Sequence, residues 1–414
     1  MFHRNLTESL KAALSDNPVV LLLGARQVGK STLVQNLANV TYGPQYLTFD
    51  DATILAAAAE NPTSFLETVQ KPVIFDEVQR VPELFIALKA SVDKNRISGN
   101  FLLTGSANVL LMPKIADSLA GRMELITLRP LSQGELTGRK EDFIDWVCSD
   151  TFNLPQPFDP EDREDLFQRM LDGGYPEAVG RISEGRRSKW FRSYITTLLQ
   201  RDVRDLSNIE GLTDLPRLFS ILAARTGGLL NFAEISRSGG HAQTTLKRYI
   251  TLLEQLFLIE LLPAYSGNLT KRLVKSPKLF FTDTGLLSEL QGLSWSKIKF
   301  ENSFAGMLME NFVVGELRAQ AGWNKTPVEM FHFRTAADQE VDIVLELPTS
   351  EVIGIEVKSG ASVGAEAFRG LKQLESDLGK KFKRGIVIYT GEKSVSFGKK
   401  LFAVPIQALW AERR

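Results

Sequence analysis

Short apolar runs that end in small or charged residues recur in the first third of the chain and predict buried strands. The runs "PVVLLLG", "KPVIFDE" and "NFLLTGS" begin at residues 18, 71 and 100. The first run is followed by "KSTLVQNLANV", in which Leu33, Leu37 and Val40 recur at helical spacing. Buried strands alternating with helices predict an α/β domain built on a parallel sheet.

The turn after the first strand, "GARQVGKST", has the glycine spacing of a Walker A motif and lies between a strand and a helix, as that motif requires. Its backbone amides are expected to surround a phosphate, with Lys30 at the terminal phosphates and Ser31 on Mg²⁺. A glycine turn that only opens a helix is the alternative. The predicted nucleotide-binding residues are Gly24, Ala25, Arg26, Gln27, Val28, Gly29, Lys30, Ser31 and Thr32.

The next two runs end in polar side chains that would complete a site for ATP hydrolysis. Asp76 is expected to reach the metal ion and Glu77 to polarise the attacking water, although Glu77 as a solvated helix cap is the alternative. Thr104 and Ser106 follow the third strand, where they are expected to sense the γ-phosphate or to form an ordinary turn. The aspartate and glutamate pair favours a hydrolase over a kinase or a passive nucleotide binder.

The segments "GARQVGKST", "VIFDEVQR", "LLTGSAN" and "SLAGRMELITLRPLSQGEL" resemble prokaryotic AAA-type ATPases that carry a conserved domain of unknown function behind the ATPase core. The resemblance covers nearly the whole chain and implies an ATPase that commonly assembles into rings, so we expect ATP, Mg²⁺ and a homo-oligomer. In such rings an arginine of one subunit reaches the γ-phosphate of its neighbour. Arg122 is the candidate, Arg129 and Arg201 are rivals, and a plain surface charge is the alternative.

Composition adds few constraints. The chain has 414 residues, enough for two to four domains, and its 49 basic residues equal its 49 acidic ones, so net charge indicates no partner. The single cysteine, Cys148, cannot form an intramolecular disulfide. No apolar run approaches the roughly 18 residues of a membrane span. We therefore expect a cytoplasmic protein with no membrane contact.

The middle of the chain predicts a linker and then a nucleic-acid-binding module. Residues 151–165 contain three prolines and five acids, and "LLNFAEISRSGGHAQTTLKRYITLLEQLFLIELLPAY" predicts a short helix, a glycine turn, a second helix from Thr244 through Leu256, and a strand. This order resembles a winged helix, which binds DNA or serves as a packing module. Residues suited to phosphate contacts are Lys247, Arg248, Tyr249, Lys271, Arg272, Lys275 and Lys278.

The last part of the chain places four polar residues in the order of a nuclease motif. Glu310 lies on a predicted helix, Asp342 on a strand, and Glu356 and Lys358 two apart on another strand. Residues two apart on a strand share a face, so this pair projects together while Val357 packs inward. The order resembles the PD-(D/E)XK nuclease superfamily, which implies a restriction-endonuclease-like α/β fold.

In that fold the three carboxylates would hold Mg²⁺ or Mn²⁺, and Lys358 would orient a water or steady the phosphate. The alternatives are a solvated Glu356 and Lys358 pair on an edge strand, and a domain that binds its ligand without cutting it.

These predictions give an α/β P-loop core, a helical linker, a winged helix and a nuclease-like domain, at residues 1–138, 139–215, 216–268 and 269–414. Two functions are compatible with this organisation. The first is an ATP-driven protein that acts on nucleic acid, with DNA favoured over RNA. The second is a nucleotide-gated module that recognises a protein partner through a catalytically inactive nuclease-like domain.

Overall fold

A computed structural model of the chain describes residues 2–38, 43, 45–106, 121–154, 158, 161–202, 214–240, 242–267, 272 and 275–411. The fold divides into two compact units. The first comprises Met1–Leu131 with Leu253–Leu258, and the second comprises Ser132–Leu252 with Ile259–Arg414. Val40 and Lys271, which the sequence analysis named, lie outside the described residues.

The first unit is built on a five-stranded parallel sheet in the order β2-β3-β4-β1-β5. Its strands are β1 (Val19–Leu23), β2 (Gln45–Thr48), β3 (Val73–Asp76), β4 (Phe101–Gly105) and β5 (Met123–Thr127). Its helices are α1 (Thr7–Asp16), α2 (Lys30–Leu37), α3 (Ala52–Glu60), α4 (Pro62–Thr68) and α5 (Leu84–Lys94). The predicted parallel α/β core is therefore confirmed.

The three apolar runs of the sequence become the three central strands of this sheet. Every residue of β1, β3 and β4 is buried, because helices cover both faces of a parallel sheet. Strand β4 lies between β1 and β3, with Leu21 opposite Leu103 in the first pair and Phe75 opposite Leu103 in the second. The carboxyl ends of the three strands therefore meet at one edge of the sheet.

From residue 132 onward the chain has twelve described α-helices. They are α6 (Gln133–Thr137), α7 (Phe143–Cys148), α8 (Arg163–Asp172), α9 (Pro176–Val179), α10 (Glu184–Thr197), α11 (Leu215–Ala223), α12 (Phe232–Gly239), α13 (Gln243–Gln255), α14 (Thr284–Gln291), α15 (Trp295–Phe300), α16 (Asn302–Gln320) and α17 (Arg369–Leu378). Helices α12 and α13 correspond to the predicted helix pair. An antiparallel pair of strands follows them, β6 (Ile259–Leu262) and β7 (Lys278–Phe281).

The second unit also contains a six-stranded mixed sheet in the order β12-β13-β11-β10-β9-β8. Its strands are β8 (Glu329–Arg334), β9 (Glu340–Glu346), β10 (Val352–Lys358), β11 (Phe382–Tyr389), β12 (Val395–Ser396) and β13 (Leu401–Pro405). Strand β10 runs antiparallel to β9 and parallel to β11. It is an interior strand, so the edge-strand alternative for Glu356 and Lys358 is wrong.

One glycine fixes the packing of a helix on this sheet. A Cβ atom on Gly370, in the first turn of α17, would lie 1.8 Å from the carbonyl oxygen of Glu340. Only glycine allows the helix to approach the first residue of β9 this closely. Within the described residues, none of the helices combines the length and the apolar character that crossing a bilayer requires.

Candidate functional site

The loop between β1 and α2 turns through a series of residues with positive φ angles. These angles are 151° at Gly24, 64° at Gln27 and 99° at Gly29. A Cβ atom on Gly24 would lie 2.2 Å from the carbonyl oxygen of Leu128, so a side chain at this position would collide with the segment after β5. The glycines therefore set a compact loop at the amino end of α2, where backbone amides and the helix dipole favour a phosphate.

Two buried cations support this loop through its carbonyl groups. The ammonium group of Lys30 donates hydrogen bonds to the carbonyl oxygens of Gly24 and Ala25, each at 2.9 Å. The guanidinium of Arg4 donates to the carbonyl oxygen of Val28 at 2.8 Å and to that of Arg129 at 2.5 Å. Lys30 is the residue that the Walker A spacing predicts, whereas Arg4 was missed because nothing in "FHRNL" ties it to a loop more than twenty residues away.

Asp76, the last residue of β3, is buried and held by two hydroxyl groups. The Tyr46 hydroxyl donates to Asp76 Oδ2 at 2.6 Å, and the Thr104 hydroxyl donates to Asp76 Oδ1. Burial, followed by the hydrogen bond to Asp76, raises the pKa of Tyr46 well above its ordinary value, so Tyr46 stays a donor. The carboxylate of Asp76 and the hydroxyl of Ser31 are hard oxygen ligands of the kind that Mg²⁺ takes, and they fit the metal that accompanies ATP.

Glu77 has a left-handed backbone conformation, with φ 62° and ψ 46°. Its amide donates to Thr104 Oγ1 at 3.2 Å, and its carboxylate accepts from the Ser106 hydroxyl at 3.0 Å and from the Gln79 side chain. It makes no capping hydrogen bond to the 3-10 helix Val78–Arg80 that follows. A left-handed non-glycine residue costs about 1–3 kcal/mol and persists only when its surroundings fix it, so the position of this carboxylate is strongly determined.

Thr104, in β4, and Ser106, directly after it, thus contact Asp76 and Glu77. Thr104 bridges the two, since it donates to Asp76 and accepts from the Glu77 amide. The Ser106 hydroxyl, which donates to Glu77, also accepts a hydrogen bond at 2.8 Å from the side-chain amide of Gln79. Because Thr104 lies inside β4, it is not part of a turn. Gln79 was missed by the sequence analysis, although it lies only two residues after Glu77.

In the second unit, the nuclease-motif residues of the sequence analysis come together. The ammonium group of Lys358 lies 2.6 Å from Glu356 Oε1, which shows that the two side chains share a face of β10. Asp342 Oδ2, on β9, accepts from the Val357 amide of β10 at 2.8 Å. Glu310 projects from α16, and the charge of Asp342 acts on both Glu310 and Glu356. We call Glu310, Glu340, Asp342 and Glu356 the carboxylate cluster.

Lys278 occupies this cluster, which corrects its assignment as a phosphate-contacting surface residue. Only 2% of its side chain is exposed. Its ammonium group pairs with Glu310 at 2.7 Å, with Asp342 at 3.5 Å, and with Glu340. Burial alone would lower the pKa of Lys278, but the three carboxylates together raise it above its ordinary value. The correction arises because β7 places this lysine in the interior of the second unit.

Burial and the charge of Asp342 raise the pKa of both Glu310 and Glu356 to about 8. One oxygen of Glu356, Oε2, is buried and has no hydrogen-bond partner. In the part of the chain that the structure describes, no three His, Cys, Asp or Glu side chains are arranged to hold a metal ion. The cluster is therefore a buried group of carboxyls paired with Lys278 and Lys358.

Comparison with known proteins agrees with this division of the chain. An AAA domain matches residues 16–137, and two domains of unknown function, DUF8612 and DUF4143, match residues 163–297 and 305–409. Uncharacterized protein Rv2008c of Mycobacterium tuberculosis is 31% identical over 407 residues, which cover 97% of this chain and 83% of the relative. The chain belongs to the same family as this mycobacterial protein. The first unit of this chain contains an AAA-type ATPase domain.

More distant similarities extend to other prokaryotes. Uncharacterized protein MJ1544 of Methanocaldococcus jannaschii is 24% identical over 329 residues, which cover 76% of this chain and 69% of the relative. Among solved structures, the Walker-type ATPase paby2304 of Pyrococcus abyssi is 17% identical, covers 70% of this chain and 96% of its own, and has a TM-score of 0.45. The RuvB Holliday junction branch migration motor of Thermotoga maritima is 19% identical, covers 62% of this chain and 88% of its own, and has a TM-score of 0.29.

The residues proposed for phosphate contact in this AAA-type ATPase have different environments. Lys247, Arg248 and Lys275 are exposed. Tyr249 is buried, with 1% of its surface accessible, and cannot contact a ligand at the surface. Arg272 makes two hydrogen bonds to the Glu346 carboxylate, at 2.6 and 2.9 Å, and is also engaged within the fold. The prediction for Tyr249 was wrong because this position lies on the buried side of α13.

The three arginines considered for contact with a neighbouring γ-phosphate lie in different parts of the fold. Arg122 is bonded to Asp93 and directly precedes β5, at the amino edge of the parallel sheet. Arg129 follows β5 at the carboxyl edge, where its carbonyl oxygen accepts from Arg4. Arg201 belongs to the π-helical turn Leu198–Asp202 in the second unit.

Proposed function

We propose that the chain is an Mg²⁺-dependent ATPase that acts on nucleic acid. The observation that supports the ATPase activity best is that Asp76 and Glu77 are both hydrogen-bonded to Thr104 of β4, the strand next to the P-loop strand β1. Asp76 and Ser31 would hold Mg²⁺, which neutralises charge on the phosphates when bound. Lys30 would leave the loop carbonyls to contact the β- and γ-phosphates, and the Glu77 carboxylate would accept a proton from the attacking water.

Replacing Lys30 by alanine should weaken ATP binding about 100-fold, or about 2.7 kcal/mol, because it removes the ammonium group that contacts the loop carbonyls and that we propose binds the phosphates. Equilibrium titration with a fluorescent ATP analogue measures the change. Lys94→Ala, which removes an exposed lysine of α5, is the matched control and should bind normally. Unchanged affinity in a folded Lys30→Ala variant would exclude the assigned role.

Assembly through a shared nucleotide site is the second part of the proposal. Strands β1 and β5 are parallel, with Val19 opposite Met123 and Leu23 opposite Thr127. Arg122 therefore lies about 16 Å along the strand direction from the edge that carries its own P-loop, at about 3.3 Å per residue. This distance separates Arg122 from nucleotide bound to its own subunit, so we propose that it contacts nucleotide bound to a neighbouring subunit. This supports a homo-oligomer in which Arg122 acts on the adjacent site.

The nucleic-acid part of the proposal is supported by the exposed face of α13. Thr244, Lys247, Arg248 and Thr251 are exposed at positions that recur along one helix face, whereas Leu246 and Ile250 are buried. The only acidic residue of α13 is Glu254, near its C-terminal end. Helix α12, helix α13 and the β6-β7 pair follow the order of a winged helix, in which the second helix contacts DNA.

If this face binds nucleic acid, the double variant Lys247→Ala/Arg248→Ala should bind duplex DNA more weakly and with a shallower salt dependence. Each lost phosphate contact reduces the slope of log affinity against log salt by about 0.9, so the double variant should lose about 1.8. Fluorescence anisotropy with labelled duplex DNA, single-stranded DNA and RNA measures both quantities. ATP turnover should rise when the preferred nucleic acid is added to the wild type.

The matched control is Lys380→Ala/Lys381→Ala, which removes two exposed lysines of the second unit and changes the net charge equally. Its affinity and salt slope should equal those of the wild type. Equal slopes in the α13 variant and the wild type would reject this face as the binding surface. Absence of binding and of turnover stimulation at about 50 mM salt would instead favour the second function, a nucleotide-gated module that recognises a protein.

A further inference from the structure

The carboxylate cluster already contains a cation, and it belongs to the protein. Lys278 is almost completely buried, and its ammonium group contacts carboxylates from α16 and from both Glu340 and Asp342 of β9. An ammonium group has three N–H donors, and three carboxylates are within 3.5 Å of this one. The ammonium group is therefore surrounded by carboxylates of the cluster, and it donates a hydrogen bond to Glu310.

The position of Lys278 is fixed by the strand that carries it. Strand β7 pairs with β6, with Leu262 opposite Lys278. At its other end the Asn311 side chain accepts from the Phe281 amide at 2.8 Å and donates to the Phe281 carbonyl at 2.9 Å. Asn311 is the neighbour of Glu310 on α16, so the same helix fixes both the strand and the principal partner of its lysine.

A divalent cation and this ammonium group would compete for the same oxygens. Magnesium binds oxygen at about 2.0–2.1 Å and calcium at about 2.3–2.6 Å, so either ion on Glu310 and Asp342 would lie beside the Lys278 nitrogen. Two cations at such a separation repel each other strongly in a buried site. The remaining carboxylate, Glu356, already has its own cation in Lys358 at 2.6 Å. The residues present therefore do not fit a divalent metal ion.

We propose that the ammonium group of Lys278 takes the place of the divalent cation in the carboxylate cluster, which makes this a metal-independent site. The charges support this assignment. The four carboxylates face Lys278, Lys358 and Arg334, whose guanidinium lies 3.7 Å from Glu340. In a nuclease-like domain with this arrangement, carboxylates occupied by an ammonium group would not hold a metal ion that activates water for phosphodiester cleavage. The inference is independent of the nucleic-acid function proposed above.

The test is a titration of nucleotide-free protein with Mn²⁺, followed by electron paramagnetic resonance of the free ion. Wild type and Asp342→Asn should bind Mn²⁺ identically, because the cluster takes up none. Lys278→Met removes the charge but keeps most of the side-chain volume. It should gain one Mn²⁺ per chain with a dissociation constant below about 1 mM, and Lys278→Met/Asp342→Asn should lose it. Lys275→Met, which removes an exposed lysine three residues earlier, should match the wild type.

A second readout is thermal stability. Lys278→Met should have a lower melting temperature than the wild type, and millimolar Mn²⁺ should raise it, because an ion that binds only the folded state stabilises it. The inference is overturned if the wild type binds one Mn²⁺ that Asp342→Asn removes, or if folded Lys278→Met gains none. If Lys278→Met does not fold, the comparison of wild type with Asp342→Asn still decides.

Discussion

Replacing Glu77 by glutamine is expected to lower the rate of ATP hydrolysis about 1,000-fold while ATP binding stays nearly unchanged. Glutamine keeps the shape of the side chain and an oxygen that can accept from the Ser106 hydroxyl, which contacts Glu77 at 3.0 Å. It cannot accept a proton from water. The left-handed backbone at this position is held by the Thr104 hydroxyl, so the amide should take the same place as the carboxylate.

The measurement is phosphate release at saturating Mg-ATP, together with equilibrium binding of a fluorescent ATP analogue. Glu83→Gln, which changes an exposed glutamate near the start of α5, is the control and should hydrolyse ATP normally. Normal turnover by Glu77→Gln would show that another group activates the water. A parallel loss of binding would show that the change disturbs the loop rather than the chemical step.

Replacing Arg122 by alanine should also lower turnover about 1,000-fold, because an arginine that reaches a neighbouring γ-phosphate stabilises charge in the transition state. Nucleotide affinity should change little, since Arg122 lies at the amino edge of the sheet, away from its own P-loop. The ion pair with Asp93 is partly exposed and contributes little stability, so the variant should fold. Arg96→Ala, a change at a nearby exposed arginine, is the control.

Mixing two inactive variants separates an arginine that acts on a neighbour from one with a structural role. Arg122→Ala keeps Glu77, and Glu77→Gln keeps Arg122, so an interface between the two variants assembles one complete site. Mixed oligomers should therefore recover part of the wild-type turnover, up to about one quarter of the sites in a random equal mixture. Light scattering with Mg-ATP should detect those oligomers. A mixture as inactive as its components would rule out the proposed contact between subunits.

The candidate nucleotide site could be predicted largely from the sequence because the features that define it are local. The spacing of Gly24, Gly29 and Lys30 specifies the loop, and apolar runs specify buried parallel strands whose ends carry Asp76 and Thr104. Such runs also predict where the polar residues at their ends lie, because a parallel sheet brings the carboxyl ends of its strands to one edge. The order of the strands then places Thr104 next to Asp76.

The residues that were missed or wrongly assigned act through partners far away in the sequence. Arg4 contacts the carbonyl of Val28, Tyr46 contacts Asp76, and Lys278 contacts Glu310. A lysine in "VKSPKLF" has the same local context whether it is exposed or buried. Only the pairing of β7 with β6, and the contact of Lys278 with Glu310 of α16, show that this lysine neutralises part of a buried acidic cluster. Local patterns therefore indicate the candidate carboxylates but not the groups that hold or neutralise them.

The most direct test of the proposed ATPase activity is the amount of phosphate that purified wild-type protein releases from ATP, in Mg²⁺ and in an excess of chelator. We expect many phosphates per chain in Mg²⁺ and none above background with chelator, because in the proposed site Asp76 and Ser31 would hold the ion that the phosphates require. Less than one phosphate per chain in Mg²⁺, with duplex DNA, single-stranded DNA or RNA each present in turn, would contradict the proposed ATPase.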